Sequence, residues 1–396
     1  MRLIALAATA WLAAAAPARD ERLADLKATL ASLRASAGKV GAVKFPPSPE
    51  LTVAKHQLRD WIETQLDSVK GNGDEKSLAG RLNQELKSAG LVREAEADNI
   101  LGFLGTADIT AEPGALIVTT ALGILCQYDT SAYVYRFVNG HWQRVWESEQ
   151  DDYSPKKYMP QQAIDVHVWP SGGGPFFVMT LGNEWGCAST WHTVHYRVWQ
   201  VEPPIQKLLI DGSETAWLRA NGYLVGSIGQ DRTNRTAPVD VLVEFAERSI
   251  GDHNREAVRH YLIDGDQVRR ADPVALSPRD FVDEWLTRPW SESSTWSESP
   301  VLRERYQKLH SDFVAGEFVY PTMHCQTPDL WQVGFEPHDA QKNFGAEPKV
   351  YFLIRWRPPY HFTIVDVGDK PWPRCTEEDP DADAWRTLFN TQEWRQ

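Results

Sequence analysis

One recurring hairpin pattern constrains the fold of this chain more than any other feature. Residues 126–146 contain two short alternating segments on either side of the dipeptide Asn139-Gly140. Asn and Gly tolerate the positive φ angles of a type I′ turn, which joins two antiparallel strands. The sequence therefore predicts a β-hairpin, with Tyr135 and Arg136 in its first strand.

A second copy of the pattern lies 61 residues downstream. Cys187 precedes Tyr196 by nine residues, and Cys126 precedes Tyr135 by the same interval. An Arg follows each tyrosine within an alternating segment. Since Tyr196 is equivalent to Tyr135, we expect both side chains to point into the core.

A third copy places His260 five residues before Gly265, the interval that separates Tyr135 from Gly140. An internal period of about 60 residues, long enough for roughly four strands, is typical of a repeated β architecture. We therefore predict a mainly β fold of repeated antiparallel four-stranded units, β-propeller-like, with an N-terminal helical region. A β-sandwich with long loops and a helical cap is the alternative that fits the same strands.

The first residues resemble a secretion signal. Arg2 precedes an apolar run that ends in Ala16-Pro17-Ala18, small residues of the kind that a signal peptidase reads. We expect residues 1–18 to be removed and the mature chain to be periplasmic or extracellular. No later stretch approaches the ~20 apolar residues of a membrane-spanning helix, so no transmembrane anchor is expected.

The boundaries between regions follow from changes in residue spacing. Leucines at helical spacing predict three early helices, within residues 20–36, after Ser48 and within residues 74–88. Short β-branched runs separated by Gly and Pro follow, and helical spacing returns after Ser277. The predicted organisation is a signal peptide (1–18), an N-terminal helical region (19–105), a β-repeat domain (106–375) with a helical insertion near 277–313, and an acidic C-terminal tail (376–396).

Four cysteines are an even number in a chain expected to reach an oxidising compartment, which favours disulfides over metal ligation. The matched positions of Cys126 and Cys187 favour a bridge between these two. Cys325 and Cys375 then form the second bridge. No metal site and no cofactor are predicted.

Charge and composition narrow the choice of partner. The formal net charge of −13 and the lack of a basic stripe argue against a nucleic-acid partner. Seventeen tryptophans are the most informative excess, because indole rings stack on the apolar faces of sugars as well as filling cores. Core packing is the more common role, but five tryptophans fall in predicted loops, where ligand platforms usually lie: Trp185, Trp191, Trp290, Trp296 and Trp372.

Two polar clusters supply the remaining candidates. In the second repeat, His195 and Arg197 share a strand face with Trp199, opposite the face of Tyr196, and can meet an anionic ligand or a carboxylate of the protein itself. Near the C-terminus, the segment from Arg355 to His361 is the densest positive and aromatic cluster, and its first three residues are candidates. The complete set of ligand-binding candidates is Trp185, Trp191, His195, Arg197, Arg355, Trp356 and Arg357.

The first functional hypothesis is an exported, disulfide-stabilised β-repeat protein that binds a glycan or a protein partner, or serves as a scaffold. The alternatives are a secreted carbohydrate-active hydrolase with two loop carboxylates and a structural protein of the cell envelope. Neither a Gly-x-Ser-x-Gly elbow nor a His-Glu-x-x-His helix is present, which removes the simplest hydrolase interpretations without excluding others. A binding protein is preferred over an enzyme, and catalytic residues are left unassigned. The carboxylates considered for the hydrolase are Asp151, Asp152, Asp165, Glu184, Asp231 and Asp240.

The repeat alignment makes a testable statement about the disulfides. Peptide mapping under non-reducing conditions is expected to recover a peptide in which Cys126 is linked to Cys187, because equivalent positions of adjacent repeats lie on the same side of the fold. A peptide that links Cys126 to Cys325 would show that the alignment is wrong.

Overall fold

Short antiparallel strands dominate the part of the chain that the structure describes. The computed structural model describes residues 21–33, 35, 49–69, 74–91, 104–112, 114–124, 127–150, 161–169, 176–184, 191–217, 224–229, 237–248, 254–311, 316–337, 350–358 and 360–378. The chain divides into an N-terminal unit, Met1–Ser213, and a C-terminal unit, Glu214–Gln396.

Three helices begin the N-terminal unit, which confirms the prediction from leucine spacing. They are α1 (residues 21–33), α2 (Glu50–Asp67) and α3 (Glu75–Ser88). Asp74 caps α3 by accepting a hydrogen bond from a backbone N–H of its first turn, where the helix leaves donors unpaired. Gly90 follows the helix with a φ of 67°, a conformation that glycine adopts without strain.

The leucine faces of these helices form one core with the strands that follow them. Leu30 of α1, Leu58 of α2 and Leu82 of α3 are almost completely buried. They belong to the same apolar cluster as Leu116 and Tyr133, which lie in strands. Each buried leucine contributes about 1.5–3 kcal/mol relative to an exposed one. The leucine faces of the helices therefore pack against one another and against the β part.

Eight strands follow in two antiparallel meanders, in which each strand pairs with the next. The first meander contains β1 (Leu104–Glu112), β2 (Ala115–Ile124), β3 (Gln127–Val138) and β4 (His141–Glu149). The second contains β5 (Gln161–Trp169), β6 (Phe176–Glu184), β7 (Trp191–Glu202) and β8 (Ile205–Trp217), whose last residues belong to the C-terminal unit.

The predicted hairpin joins β3 to β4. Asn139 and Gly140 have φ angles of 53° and 87°, the positive values that a type I′ turn requires. Phe137 and Trp142 lie directly opposite each other across the turn, with ring centroids 5.7 Å apart in an edge-to-face arrangement. Turn chemistry and a cross-strand aromatic pair therefore fix the same register.

The C-terminal unit contains two further meanders with helices between them. The third meander contains β9 (Leu224–Gly229), β10 (Val239–Arg248), β11 (Asn254–Asp264) and β12 (Gln267–Arg270). The helices are α4 (Pro278–Thr287), α5 (Trp290–Ser293), a 3₁₀ turn (Ser294–Trp296) and α6 (Leu302–Ser311). The fourth meander contains β13 (Gly316–Cys325), β14 (Leu330–Pro337), β15 (Val350–Arg357) and β16 (His361–Gly368), and β17 (Cys375–Glu378) pairs with β13.

The predicted fold class, a mainly β chain of repeated antiparallel four-stranded units, is confirmed. Tyr135, Tyr196 and His260 occupy the third strand of successive meanders and are 1%, 2% and 5% exposed. The three hairpins nevertheless use different turn residues, since Pro203-Pro204 joins β7 to β8 and Gly265 begins the turn between β11 and β12. The buried strand position, rather than the turn, is what the repeats share.

A disulfide joins Cys325, the last residue of β13, to Cys375, the first residue of β17. This bond confirms the second predicted pairing. Both cysteines are buried and contact Leu353, so the bond fixes the short strand β17 against the apolar side of its sheet. Cys126 and Cys187 lie outside the described residues, and their bridge stays a prediction.

Two kinds of feature are absent from the described residues. No helix in the ranges given above is long and apolar enough to cross a membrane. In the same ranges, no three His, Cys, Asp or Glu side chains are grouped in a way that would hold a metal ion.

The turn geometry predicts a position-dependent response to substitution. Gly140→Val or Gly265→Val is expected to lower the free energy of unfolding by about 1–2 kcal/mol, because a β-branched residue resists the φ angles of 87° and 58° found there. Gly80→Ala in α3 is the control, since no atom lies within 4 Å of an added Cβ and alanine favours the helix. Denaturant unfolding measures all three. Equal stability of the two valine variants and the wild type would contradict the turn assignment.

Candidate functional site

One face of strand β7 carries a histidine, an arginine and a tryptophan. Its register with β6 pairs His195 with Gly182, Arg197 with Thr180 and Trp199 with Val178. Directly paired residues lie on the same face of a sheet, so His195, Arg197 and Trp199 share one face, as the sequence predicts.

The opposite face of β7 is buried. His192, Val194, Tyr196 and Val198 are each at most 2% exposed, which confirms the predicted orientation of the strand. The ring of Tyr196 lies against Gly212 of β8 and leaves no room for a side chain there. This close contact brings β8 beside β7, with Asp211 next to the exposed face.

His195 pairs with the carboxylate at the end of β6. Its Nε2 lies 2.9 Å from Oε1 of Glu184, and the two side chains are 10% and 34% exposed. His192 donates from Nδ1 to the backbone carbonyl of Glu184 at 3.0 Å. The backbone and the side chain of Glu184 are therefore both held in place, while the carboxylate still meets solvent.

Arg197 pairs with β8. Its Nε donates to Oδ1 of Asp211 at 2.7 Å, and the side chains are 38% and 54% exposed. This hydrogen bond uses one guanidinium nitrogen and one carboxylate oxygen, so it does not occupy the outer N–H groups of Arg197 or the second oxygen of Asp211. We call the set Glu184, His195, Arg197, Trp199 and Asp211 the β7 strip.

Trp199 forms the apolar end of the β7 strip. Its ring centroid lies 5.1 Å from that of Trp146 in an edge-to-face arrangement, and the indole packs against an apolar cluster that includes Val178 and Val201. Trp199 is half-buried, whereas Trp146 is completely buried. The strip thus joins a packed indole to two partly exposed hydrogen-bonded pairs.

The predicted candidates Trp185 and Trp191 are close in sequence to residues of the β7 strip. Trp185 is outside the described residues. Trp191 was expected in a loop, but it is the first residue of β7.

The second predicted cluster, Arg355 to Arg357, is mainly engaged in packing and ion pairs. Trp356 is 7% exposed and its ring stacks on Phe362 at 5.5 Å. Arg355 donates to Glu298 and to Asp329, each at 2.6 Å, and these hydrogen bonds raise the pKa of the Arg355 guanidinium. Arg357 is exposed. Its ligand-binding role stays a prediction.

Two tryptophans expected in a loop pack in or against the core of the C-terminal unit instead. The segment between Pro289 and Pro300 was predicted to be a loop, but it forms α5 and the 3₁₀ turn. In this helical segment, Trp296 belongs to the same apolar cluster as Trp285, and Trp290 is partly buried against that cluster. The segment is rich in serine and glutamate, but the apolar indoles decide how it packs.

A buried ionic cluster in the C-terminal unit has no counterpart in the sequence predictions. Glu284 of α4 accepts hydrogen bonds from four guanidinium groups. On Oε2 these come from Arg255 at 2.7 Å and Arg259 at 3.0 Å, and on Oε1 from Arg270 at 3.1 Å and Arg288 at 2.8 Å. Glu284, Arg255 and Arg259 are completely buried.

Further carboxylates surround these arginines. Glu247 accepts hydrogen bonds from Arg255 and Arg259, Glu214 lies 2.9 Å from Arg259, and Glu292 lies 2.9 Å from Arg270. Burial alone would raise the pKa of Glu247, but the two arginines outweigh it and hold that pKa below its ordinary value. The groups neutralise one another, so we assign the cluster a structural role.

Spacing in the sequence does contain a signal for this cluster. Arg255 and Arg259 are four residues apart in a strand and therefore share a face, and Glu284 and Arg288 are four residues apart on one side of a helix. Two such pairs separated by about 25 residues indicate that a strand and a helix contact each other through ion pairs.

The comparisons with known proteins are weak. No family model matches the chain, and no curated protein matches it. The BT0996 RGII complex is 12% identical and is aligned over 76% of this protein and 99% of the other, with a TM-score of 0.25. A glycoside hydrolase is 12% identical over 76% and 98%, with a TM-score of 0.24. The GH93 α-L-arabinofuranosidase of Fusarium graminearum in complex with arabinobiose is 9% identical over 63% of each protein, with a TM-score of 0.25. Overlaps of this size establish no family and carry no argument about function.

The ionic cluster makes a prediction about stability. Glu284→Gln is expected to lower the free energy of unfolding by about 3–5 kcal/mol, because it leaves buried guanidinium groups without their shared counter-charge. Asp369→Asn is the matched control. It removes the partner of Arg305 in a pair whose side chains are 47% and 67% exposed, and such pairs contribute at most about 1 kcal/mol. Urea unfolding compares the two variants, and equal losses would contradict the structural role.

Proposed function

We propose that this chain is an exported glycan-binding protein and that the β7 strip is its binding site. The observation that carries the proposal is the combination on one strand face of two hydrogen-bonded pairs that remain partly exposed, His195–Glu184 and Arg197–Asp211, with the half-buried indole of Trp199 beside them. The site belongs wholly to the N-terminal unit.

The chemistry of the pairs supports a sugar ligand. A sugar hydroxyl both donates and accepts hydrogen bonds, and each pair offers a donor and an acceptor next to each other. Because the partners already hold one another, their side chains lose little freedom on binding. Hydrogen bonds to charged groups contribute about 1.5–3 kcal/mol each, so a few of them suffice for micromolar affinity.

Trp199 supports the same class of ligand. The apolar C–H face of a sugar ring packs against an indole, and carbohydrate sites combine such a surface with a small number of well-placed polar groups. His195, Arg197 and Trp199 are spaced by about 6.7 Å along β7, because alternate residues of a strand share a face. The strip therefore suits a ligand that lies along the strand.

Export is supported by two features of different kinds. The signal-like residues 1–18 are of the type that directs secretion. The disulfide between Cys325 and Cys375 is of the kind that persists in an oxidising compartment. We propose a periplasmic or extracellular location on these grounds.

The experiment is a thermal-shift screen of the chain from Arg19 against soluble neutral and acidic glycans, followed by calorimetric titration of each hit. Arg197→Ala is expected to weaken binding about tenfold or more without changing the melting temperature, since its ion pair is exposed. Glu184→Gln should also weaken binding. Asp165→Asn is the matched control, because Asp165 contacts His167 at 3.1 Å on the opposite face of the sheet. This variant should bind each glycan with the affinity of the wild type.

Three results would contradict the proposal. The first is a screen without any hit, and the second is a glycan that Arg197→Ala and Glu184→Gln both bind with wild-type affinity. The third is an equal loss of affinity in Asp165→Asn and Arg197→Ala. The same samples test the hydrolase alternative, because Glu184 is a partly exposed carboxylate beside a histidine. Release of reducing ends by the wild type, and its loss in Glu184→Gln, would replace the binding role by an enzymatic one.

A further inference from the structure

We infer that the β7 strip selects neutral, hydroxyl-rich sugars and rejects uronic acids. This inference rests on the proposed function and adds the class of ligand. It follows from the balance of charges on the strip and from the atoms that its two ion pairs leave available.

The charges on the strip do not favour an anion. Two carboxylates, Glu184 and Asp211, accompany one guanidinium, that of Arg197. Even a protonated His195 would only bring the strip to neutrality. The formal net charge of the whole chain is −13, so the surrounding field also opposes an acidic polymer.

The geometry of Arg197 adds to this preference. A carboxylate binds a guanidinium best through two parallel hydrogen bonds, and one edge suited to this includes Nε. The Nε of Arg197 already donates a hydrogen bond to Oδ1 of Asp211 at 2.7 Å. A uronate on this edge would have to displace Asp211 or lie beside it, whereas a hydroxyl can donate to Asp211 and accept from the outer N–H groups at once.

The other pair has the same character. His195 uses Nε2 and Glu184 uses Oε1 in their contact at 2.9 Å, and Glu184 remains 34% exposed. The second oxygen of Glu184 is an acceptor that suits a hydroxyl donor and repels an ionised carboxyl group. Because the two pairs follow one another along β7 at a spacing of about 6.7 Å, both select against negative charge at successive positions of a bound chain.

The test uses matched trisaccharides that differ only at C6. Cellotriose, β-1,4-mannotriose and β-1,4-galactotriose are compared with the trimers of the corresponding uronic acids, each titrated at low salt into the chain from Arg19. For each sugar that binds, the dissociation constant of the neutral trimer is expected to be lower than that of its uronic-acid counterpart by about tenfold or more. Asp211→Asn removes one negative charge and should narrow this ratio several-fold, and added salt should narrow it further by screening.

The outcomes separate this inference from the proposed function. Tighter binding of a uronate trimer would overturn the selectivity and leave glycan binding intact. A neutral preference that is unchanged in both Asp211→Asn and Glu184→Gln would overturn the assignment of selectivity to the strip. Absence of binding to all six trimers, when the broader screen also gives no hit, would overturn both. Asp165→Asn, on the other face, should keep the wild-type ratio.

Discussion

The C-terminal unit depends on one buried carboxylate, that of Glu284. Four guanidinium groups from β11, from β12 and from the end of α4 meet on its two oxygens, and Glu247, Glu214 and Glu292 also contact these arginines. Removing so many charges from water costs several kcal/mol for each ion, and only a nearly complete set of short contacts offsets that cost. The third meander and the helix that follows it are thereby held in one arrangement, because a shift of α4 would leave arginines uncompensated in the interior.

The N-terminal unit uses the same device on a smaller scale. Lys55 of α2 is buried and contacts Asp129 of β3 at 3.1 Å, and Arg59 contacts Glu149 of β4 at 2.9 Å. Tyr133 donates to the same Glu149, and burial raises the pKa of this tyrosine beyond its usual range. In both units a helix is attached to a meander by leucine or tryptophan packing together with buried charges that determine its orientation.

Exposure separates these structural contacts from the β7 strip. The Glu284 carboxylate and the Lys55–Asp129 pair are at most 1% exposed, so a ligand cannot reach them unless the fold opens. The pairs of His195 and Arg197 have similar chemistry, but the side chains of Glu184, Arg197 and Asp211 are 34%, 38% and 54% exposed. The same residue types therefore stabilise the fold where they are buried. They can contact a ligand where part of each pair remains exposed to solvent.

The sequence alone determined the local features. Leucine spacing predicted α1 to α3, Asn139-Gly140 predicted a hairpin, and the alternation around Tyr196 predicted the buried face of β7, because each depends on residues close together in the chain. Only the tertiary structure decided which charged and aromatic residues are exposed. Trp296, predicted in a loop, and Trp356, a predicted ligand-binding residue, are both buried, since their partners come from distant segments. Burial is a property of the packed chain, and a side chain acquires its role from partners that the local sequence does not specify.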